Sequence, residues 1–221
     1  MPLSAPNAIL FDLDGTLADT APDLAAAINR VKIARGLPPT PYELLRPVAS
    51  AGARGLISVA FDLMPEHDGY DALRTAFFDE YIGALAVESR LFDGIDALLQ
   101  TLARQGLKWG IVTNKSSRFS VPLILQIGLD QTQCLVCGDT TSHSKPHPAP
   151  LLEAAHRLGL PADQCWYVGD DLRDIQAGRA AGMPVIAAAW GYCGNIEPHT
   201  WNADAIVETP ADLLDLICHQ M

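Results

Sequence analysis

"FDLDGTLADT", residues 11–20, sets two carboxylates, Asp12 and Asp14, two positions apart at the end of an apolar run, then adds Gly15 and Thr16. A short apolar run before a glycine turn reads as a buried strand followed by a reversal of the chain. One acid there would be an ordinary turn or cap residue. Two neighbouring acids repel each other, and such a pair is stable only beside a cation.

The run that precedes them, "AILFDL" (8–13), is the first of a series. "KWGIVT" (108–113), "CLVCG" (134–138), "CWYVGD" (165–170), "VIAAAW" (185–190) and "DAIV" (204–207) have the same apolar, β-branched character. Nearly all lack the alternation of a half-exposed strand, as expected where both faces are covered. Helix-period segments lie between them: "GIDALLQTLARQGL" (94–107), "APLLEAAHRLGL" (149–160) and "DLRDIQAGRAAGM" (171–183), each closing near a glycine. Strand–helix alternation predicts an α/β, Rossmann-like parallel sheet with helices on both faces.

One connection breaks this rhythm. From Leu17 to Leu91 no strand is expected, and helical patterns fall at about 20–35, 41–47, 53–64 and 68–86. Thr20 and Asp23 resemble a capping box, with Pro22 in the first turn. So long a crossover predicts an all-helical insert mounted directly after the first strand. The expected division is a catalytic core of residues 1–17 and 89–221 and a helical cap of 18–88.

The 26 acids against 15 bases give a net charge of -11. That balance argues against a nucleic-acid backbone or an anionic membrane as partner. A small anionic substrate remains compatible, because a bound cation reverses the sign inside one cleft. Five scattered cysteines, with no signal-peptide pattern and no membrane-length apolar run, predict a reduced, cytoplasmic protein. The lone Cys-x-x-Cys, Cys134–Cys137, reads as strand residues. Oligomeric state is left between monomer and homodimer.

In an open parallel sheet, ligands bind beyond the carboxyl ends of the strands. Asp12, Thr113 and Asp170 end three of the apolar runs, and Lys145 lies in the loop after a fourth, "SHSKPHP" (142–148). Each alone has a plain reading: helix cap for the acids, turn residue for the threonine, solvated charge for the lysine. Their coincidence at one sheet edge points to chemistry. Clustered carboxylates suit a hard, oxygen-liganded cation such as Mg2+. A carboxylate beside it can attack phosphorus, while a hydroxyl and a lysine hold phosphoryl oxygens.

"DLDGT" (12–16), "TNK" (113–115), Lys145 in "SKPHP" and "GDDLRD" (169–174) resemble the four motifs of the haloacid dehalogenase-like superfamily, in order and rough spacing. The likeness spans nearly the whole chain. Within the superfamily, "TAPDL" (20–24), "TNK", "AAGM" (180–183) and "WGY" (190–192) are similar to phosphoglycolate phosphatases. "SAGAR" (50–54), "GDDLRDI" and "WNAD" (201–204) resemble a branch acting on N-acetylmuramic acid 6-phosphate.

The resemblance implies a Mg2+-dependent phosphoric monoester hydrolase for a small phosphorylated metabolite. Asp12 would be nucleophile and metal ligand. Asp14 would give its backbone carbonyl to the metal and its side chain to proton transfer. Thr113 and Asn114 would bind phosphate with Lys145, Asp170 would ligate the metal, and Asp171 would support that site from behind or through water. Asp174, one turn after Asp171, reads either as further support or as an exposed acid. Arg54, between Gly52 and Gly55 in the insert, reads either as a substrate contact or as a helix-surface arginine. Lys115, Arg118 and Arg173 read as loop charges, His143 and His147 as loop histidines, and Trp190, Tyr192, His199 and Trp201 as packing. Two other readings share the strand-end residues: a β-phosphoglucomutase-like transferase, and a phospho-accepting signalling receiver. The receiver fits poorly, because its accepting acid follows a later strand and it carries no helical insert.

Overall fold

The computed structural model describes residues 3–194 and 196–220. Strand β1 (Ala8–Phe11) is followed by a short strand β2 (Ala18–Asp19) and helices α1 (Ala21–Ile33) and α2 (Tyr42–Leu45). A 3-10 turn (Arg46–Ala51), α3 (Gly52–Phe61), α4 (Tyr70–Gly83) and β3 (Arg90–Leu91) come next. Then α5 (Ile95–Arg104), β4 (Lys108–Val112), α6 (Ser117–Gln126) and β5 (Leu135–Val136) precede α7 (Ala149–Leu158) and β6 (Cys165–Gly169). The chain continues through α8 (Leu172–Ala181), β7 (Val185–Ala188), β8 (Ala205–Val207) and α9 (Pro210–Cys218).

Six strands form one sheet in the order β5-β4-β1-β6-β7-β8, parallel throughout. β1 lies between β4 and β6, with Phe11 opposite Ile111 on one side and Val168 on the other. The strand order reverses at β1, so the crevice at its carboxyl end is the place where such a sheet binds a ligand.

Both faces of the sheet are covered. Ile9 and Phe11 point into a core with Ile111, Trp166, Val168 and residues of α5, α6 and α9. Ala8 and Leu10 point into a second core with Val112, Tyr167, Val185 and residues of α7 and α8. Successive residues of one strand are therefore equally buried, which is why the apolar runs show no alternation. Each large side chain so buried contributes roughly 1.5–3 kcal/mol.

Between β2 and β3 the chain is helical, as the sequence patterns anticipate. The two short strands are a correction: Ala18 pairs with Leu91 and Asp19 with Arg90 in an antiparallel ribbon at the base of the helical segment. A two-residue pair carries no periodicity to read. The anticipated capping box at Thr20 is also absent. Thr20 makes no side-chain cap of α1, because its hydroxyl donates to Asp14 Oδ1 at 2.5 Å. Asp23 instead accepts from the amides of Glu88 and Ser89 and from the Ser89 hydroxyl, fastening α1 to the segment before β3. Helices α6 and α9 lie outside the sequence expectations, and α6 carries Pro122 within it, which masks its helical pattern.

Among the described residues, no helix is long and apolar enough to cross a membrane.

Candidate active site

Asp12 follows β1 directly, with its amide bonded to the Val168 carbonyl. This extends the pairing with β6 and holds the carboxylate at the crevice. Gly15 then turns the chain at φ +88°. A Cβ at Gly15 would overlap the Asp170 carboxylate, so glycine supplies both the turn and the close approach. Gly191 serves the other side of Asp170, where a Cβ would overlap its Cβ.

Asp12, Asp170 and Asp174 are buried, and one oxygen from each lies within 4.8 Å of the others. Lys145 is buried among them, its ammonium 2.8 Å from Asp12 Oδ1 and 2.7 Å from Asp174 Oδ1. Lys145 also donates to the Val112 carbonyl (3.0 Å) and the Tyr167 hydroxyl (2.8 Å). Its contact with Asp12 is an ion pair outside hydrogen-bond geometry, and Asp12 Oδ1 has no hydrogen-bond partner. The cluster holds three carboxylates and one buried ammonium, which pairs with Asp12 and Asp174, so a positive charge is lacking. Burial raises Asp12 to about 7, opposed by Lys145 and reinforced by Asp174 and Asp14. Burial, then Asp12 and Asp174, push Asp170 well above the usual carboxylate range. Burial alone would lower the Lys145 ammonium, but Asp12 and Asp174 outweigh it and the net shift is upward.

A buried, all-oxygen cluster of three carboxylates with one ammonium beside it fits a hard divalent cation. Asp12 and Asp170 are the carboxylates placed to hold it. Asp174 is otherwise engaged: Oδ1 accepts from Lys145 and Tyr167, and Oδ2 from the Asp171 amide. Asp170 is braced by Thr16 Oγ1 (2.8 Å), Ser50 Oγ (3.1 Å) and the Tyr192 amide (3.0 Å).

Asp171 faces away from this group. It caps α8, accepts from the Arg173 amide, and pairs with the Arg173 guanidinium at 2.7 and 2.9 Å. Burial would raise its carboxyl, but Arg173 outweighs that and holds it low. Asp171 and Asp174 complete a capping box at the start of α8, which places Asp174 in the interior. Of the two readings of Asp174, the exposed acid is excluded.

Asp14 Oδ1 accepts from Thr20 and from Lys115 at 2.7 Å. Lys115, read from sequence as a loop charge, is thus a largely covered member of the site, its side chain 9% exposed. Burial would lower its ammonium, yet Asp14 and Tyr81 together raise it. Asn114 bridges two loops, its side chain bonding the Lys145 carbonyl and amide, each at 2.9 Å. Thr113 is buried at the end of β4, with Oγ1 accepting from the Lys115 amide.

Part of this group lines one side of a cavity of about 310 Å³. Asp12, Asp14, Thr113, Asn114 and Lys115 come from the strand ends, while Ser50–Ala53, Phe77, Phe78 and Tyr81 come from the helical segment. Phe119 and Arg173 add to the wall. Arg54 is exposed on α3 and is not among the lining residues. Arg118 sits at the surface beside Asp79, and His143 stacks on His147 at 4.2 Å. Sequence reasoning overlooked the bracing hydroxyls of Thr16, Ser50 and Tyr167 and the aromatic wall. Only Thr16, inside "DLDGT", carried a signal for its part.

A family profile described as haloacid dehalogenase-like hydrolase matches residues 9–188. A phosphoglycolate phosphatase of Xanthomonas campestris pv. campestris is 48% identical over 211 residues, 94% of this chain and 95% of the relative. An N-acetylmuramic acid 6-phosphate phosphatase of Pseudomonas putida is 43% identical over 213 residues, 96% of each chain. The crystal structure of a predicted phosphoglycolate phosphatase from Haemophilus somnus 129PT superposes with a TM-score of 0.86 at 31% identity, covering 97% of this chain and 99% of that one.

Proposed function

The chain belongs to the haloacid dehalogenase-like hydrolase family and is a phosphatase, and we propose that it hydrolyses a small phosphate monoester with Mg2+ through an aspartyl phosphate on Asp12. The observation that carries this reading is the buried Asp12 carboxylate, clustered with Asp170 and ion-paired to Lys145, opening on a cavity shared with the helical segment. Asp12 and Asp170, with the Asp14 backbone carbonyl, would hold Mg2+, which supplies charge neutralisation for the phosphoryl group.

An Asp12 oxygen attacks phosphorus, and the bond from phosphorus to the ester oxygen breaks. Asp14 gives its proton to the departing alkoxide. Both hydrogen bonds to Asp14 fall on Oδ1, which leaves Oδ2 for that transfer. Asp14, now ionised, takes a proton from water, whose oxygen attacks phosphorus and releases Asp12 and inorganic phosphate. Lys145 and Thr113, with Asn114 fixing the Lys145 loop, hold the phosphoryl oxygens as charge moves onto them.

The division of labour follows: residues 1–17 and 89–221 carry the chemistry, and the cap of 18–88 chooses the substrate, in the cytoplasm, as monomer or homodimer. The identity to the Xanthomonas relative favours 2-phosphoglycolate as substrate. A second reading, a phosphosugar such as N-acetylmuramic acid 6-phosphate, has its own support. The cationic lining residues Lys115 and Arg173 are already paired with Asp14 and Asp171, and the far wall is Phe77, Phe78 and Phe119. Such a wall suits the apolar face of a sugar ring better than a free carboxylate.

The test is hydrolysis of p-nitrophenyl phosphate with Mg2+, with EDTA, and by Asp12→Asn. Activity that survives either treatment would overturn the mechanism. Turnover of 2-phosphoglycolate beside N-acetylmuramic acid 6-phosphate then decides between the two substrate readings.

A further inference from the structure

Helix α1 opens the helical segment, yet its first turn is capped by a residue 172 positions away. The Tyr192 phenol oxygen accepts from the Thr20 amide at 2.7 Å and the Ala21 amide at 2.9 Å, and donates to Asp19 Oδ1 at 3.0 Å. The first amides of a helix have no intrahelical partner, and an N-cap side chain ordinarily serves only the second or third of them. Here that side chain is Thr20, whose hydroxyl is committed to Asp14. Pro22 has no amide hydrogen to give. The Tyr192 ring is held in turn by the Arg46 guanidinium, 4.7 Å from its centroid, and by Phe92 at 6.4 Å. Arg46 also reaches Asp19 at 3.6 Å. The Tyr192 amide donates to Asp170.

The geometry points to Tyr192 as a positioning residue for Asp14. By accepting from the Thr20 amide and lying 3.5 Å from the Thr20 hydroxyl, its phenol fixes the residue whose hydroxyl donates to Asp14 Oδ1. The same contacts pin the Asp19–Ala21 crossing, where the chain passes from core to cap, against the Arg46 turn. Loss of the phenol oxygen leaves the Thr20 and Ala21 amides without their acceptor and frees Thr20 to shift, so that Asp14 loses a fixed partner on Oδ1. The role rests on the proton-transfer part given above to Asp14.

Tyr192→Phe keeps the ring and its stacking while removing the hydroxyl. With p-nitrophenyl phosphate and Mg2+, kcat should fall about 10-fold while KM stays within about 2-fold, as for a lost transition-state interaction. In a Thr20→Val background the same change should cost less than about 2-fold in kcat, because the two residues act through one bond. Equal losses in both backgrounds, or an unchanged kcat, would overturn the role. Hydrogen exchange of the holoprotein gives a readout independent of turnover. The Thr20 and Ala21 amides should exchange about 10-fold faster in Tyr192→Phe, and unchanged protection would overturn the cap itself. A wild type with no phosphatase activity would sink the function proposed above, and the exchange result would still decide whether Tyr192 holds α1.

Discussion

Asp174 holds the Lys145 ammonium at 2.7 Å from a position on the first turn of α8, on the side of the lysine away from the cavity. Lys145 therefore faces Asp12 with its direction set by the Asp174 carboxylate, the Tyr167 hydroxyl and the Val112 carbonyl. The acid that ends β1 and the acid inside α8 share one cation, and only Asp12 opens on the cavity.

Asp174→Asn should lower kcat about 10–100-fold, the usual cost of losing a group that orients a site residue. KM should change less. Steady-state kinetics beside a thermal melt checks this, and a variant with wild-type kcat would show that Lys145 needs no such anchor.

Metal-free stability should depend on pH through Asp12. Its folded value of about 7 lies above that of an unfolded aspartate, so the native state binds the extra proton. Stability from this group is complete below about pH 4 and is lost as pH rises toward 7, at no more than about 1.4 kcal/mol per pH unit. Asp170, raised for the same reasons, adds to the slope. Urea unfolding of the EDTA-treated protein and of Asp12→Asn should show the wild type losing ground to the variant between pH 5 and pH 8. Saturating Mg2+ should flatten that difference, since the cation takes the place of the proton.

Gly15→Ala should cripple both folding and metal binding. The positive φ alone costs about 1–3 kcal/mol for an L side chain, and the added methyl overlaps the Asp170 carboxylate. A lower melting temperature together with weaker Mg2+ binding by calorimetry is the expected outcome. A drop in melting temperature with unchanged Mg2+ affinity would show that Asp170 tolerates the displacement.

Arg54→Ala should leave kcat/KM within about 2-fold for both candidate substrates, in keeping with an exposed residue outside the cavity lining. Lys115→Met should lose far more, because its ammonium is paired with Asp14 at 2.7 Å. The reverse order of effects would require the cap to turn α3 inward on binding.

The core was legible because its signals are local. Apolar runs without alternation report strands covered on both faces, and polar residues at their carboxyl ends report the edge where ligands bind. Asp12, Thr113, Lys145 and Asp170 could be placed at one sheet edge this way before any coordinates. The helical segment was legible as helices, for their 3.6-residue period is also local. Three things were not. The β2–β3 ribbon is too short to have a period. Asp171 and Asp174 look alike in "GDDLRD", and only the helix geometry of α8 turns one toward Arg173 and the other toward Lys145. Lys115 resembles any loop lysine until the fold seats it on Asp14.

The sequence by itself determined the parallel sheet, the helical segment after its first strand, and the residue types that meet at the sheet edge, because each is written in periodicity and position along single strands. Tertiary structure alone decided which partner each of those residues takes. Thr20 caps nothing because its hydroxyl goes to Asp14 while Tyr192, far along the chain, accepts from its amide, and Asp174 is an anchor because Lys145 arrives beside it. Pairings of that kind depend on distances between elements, which no local pattern of side chains encodes.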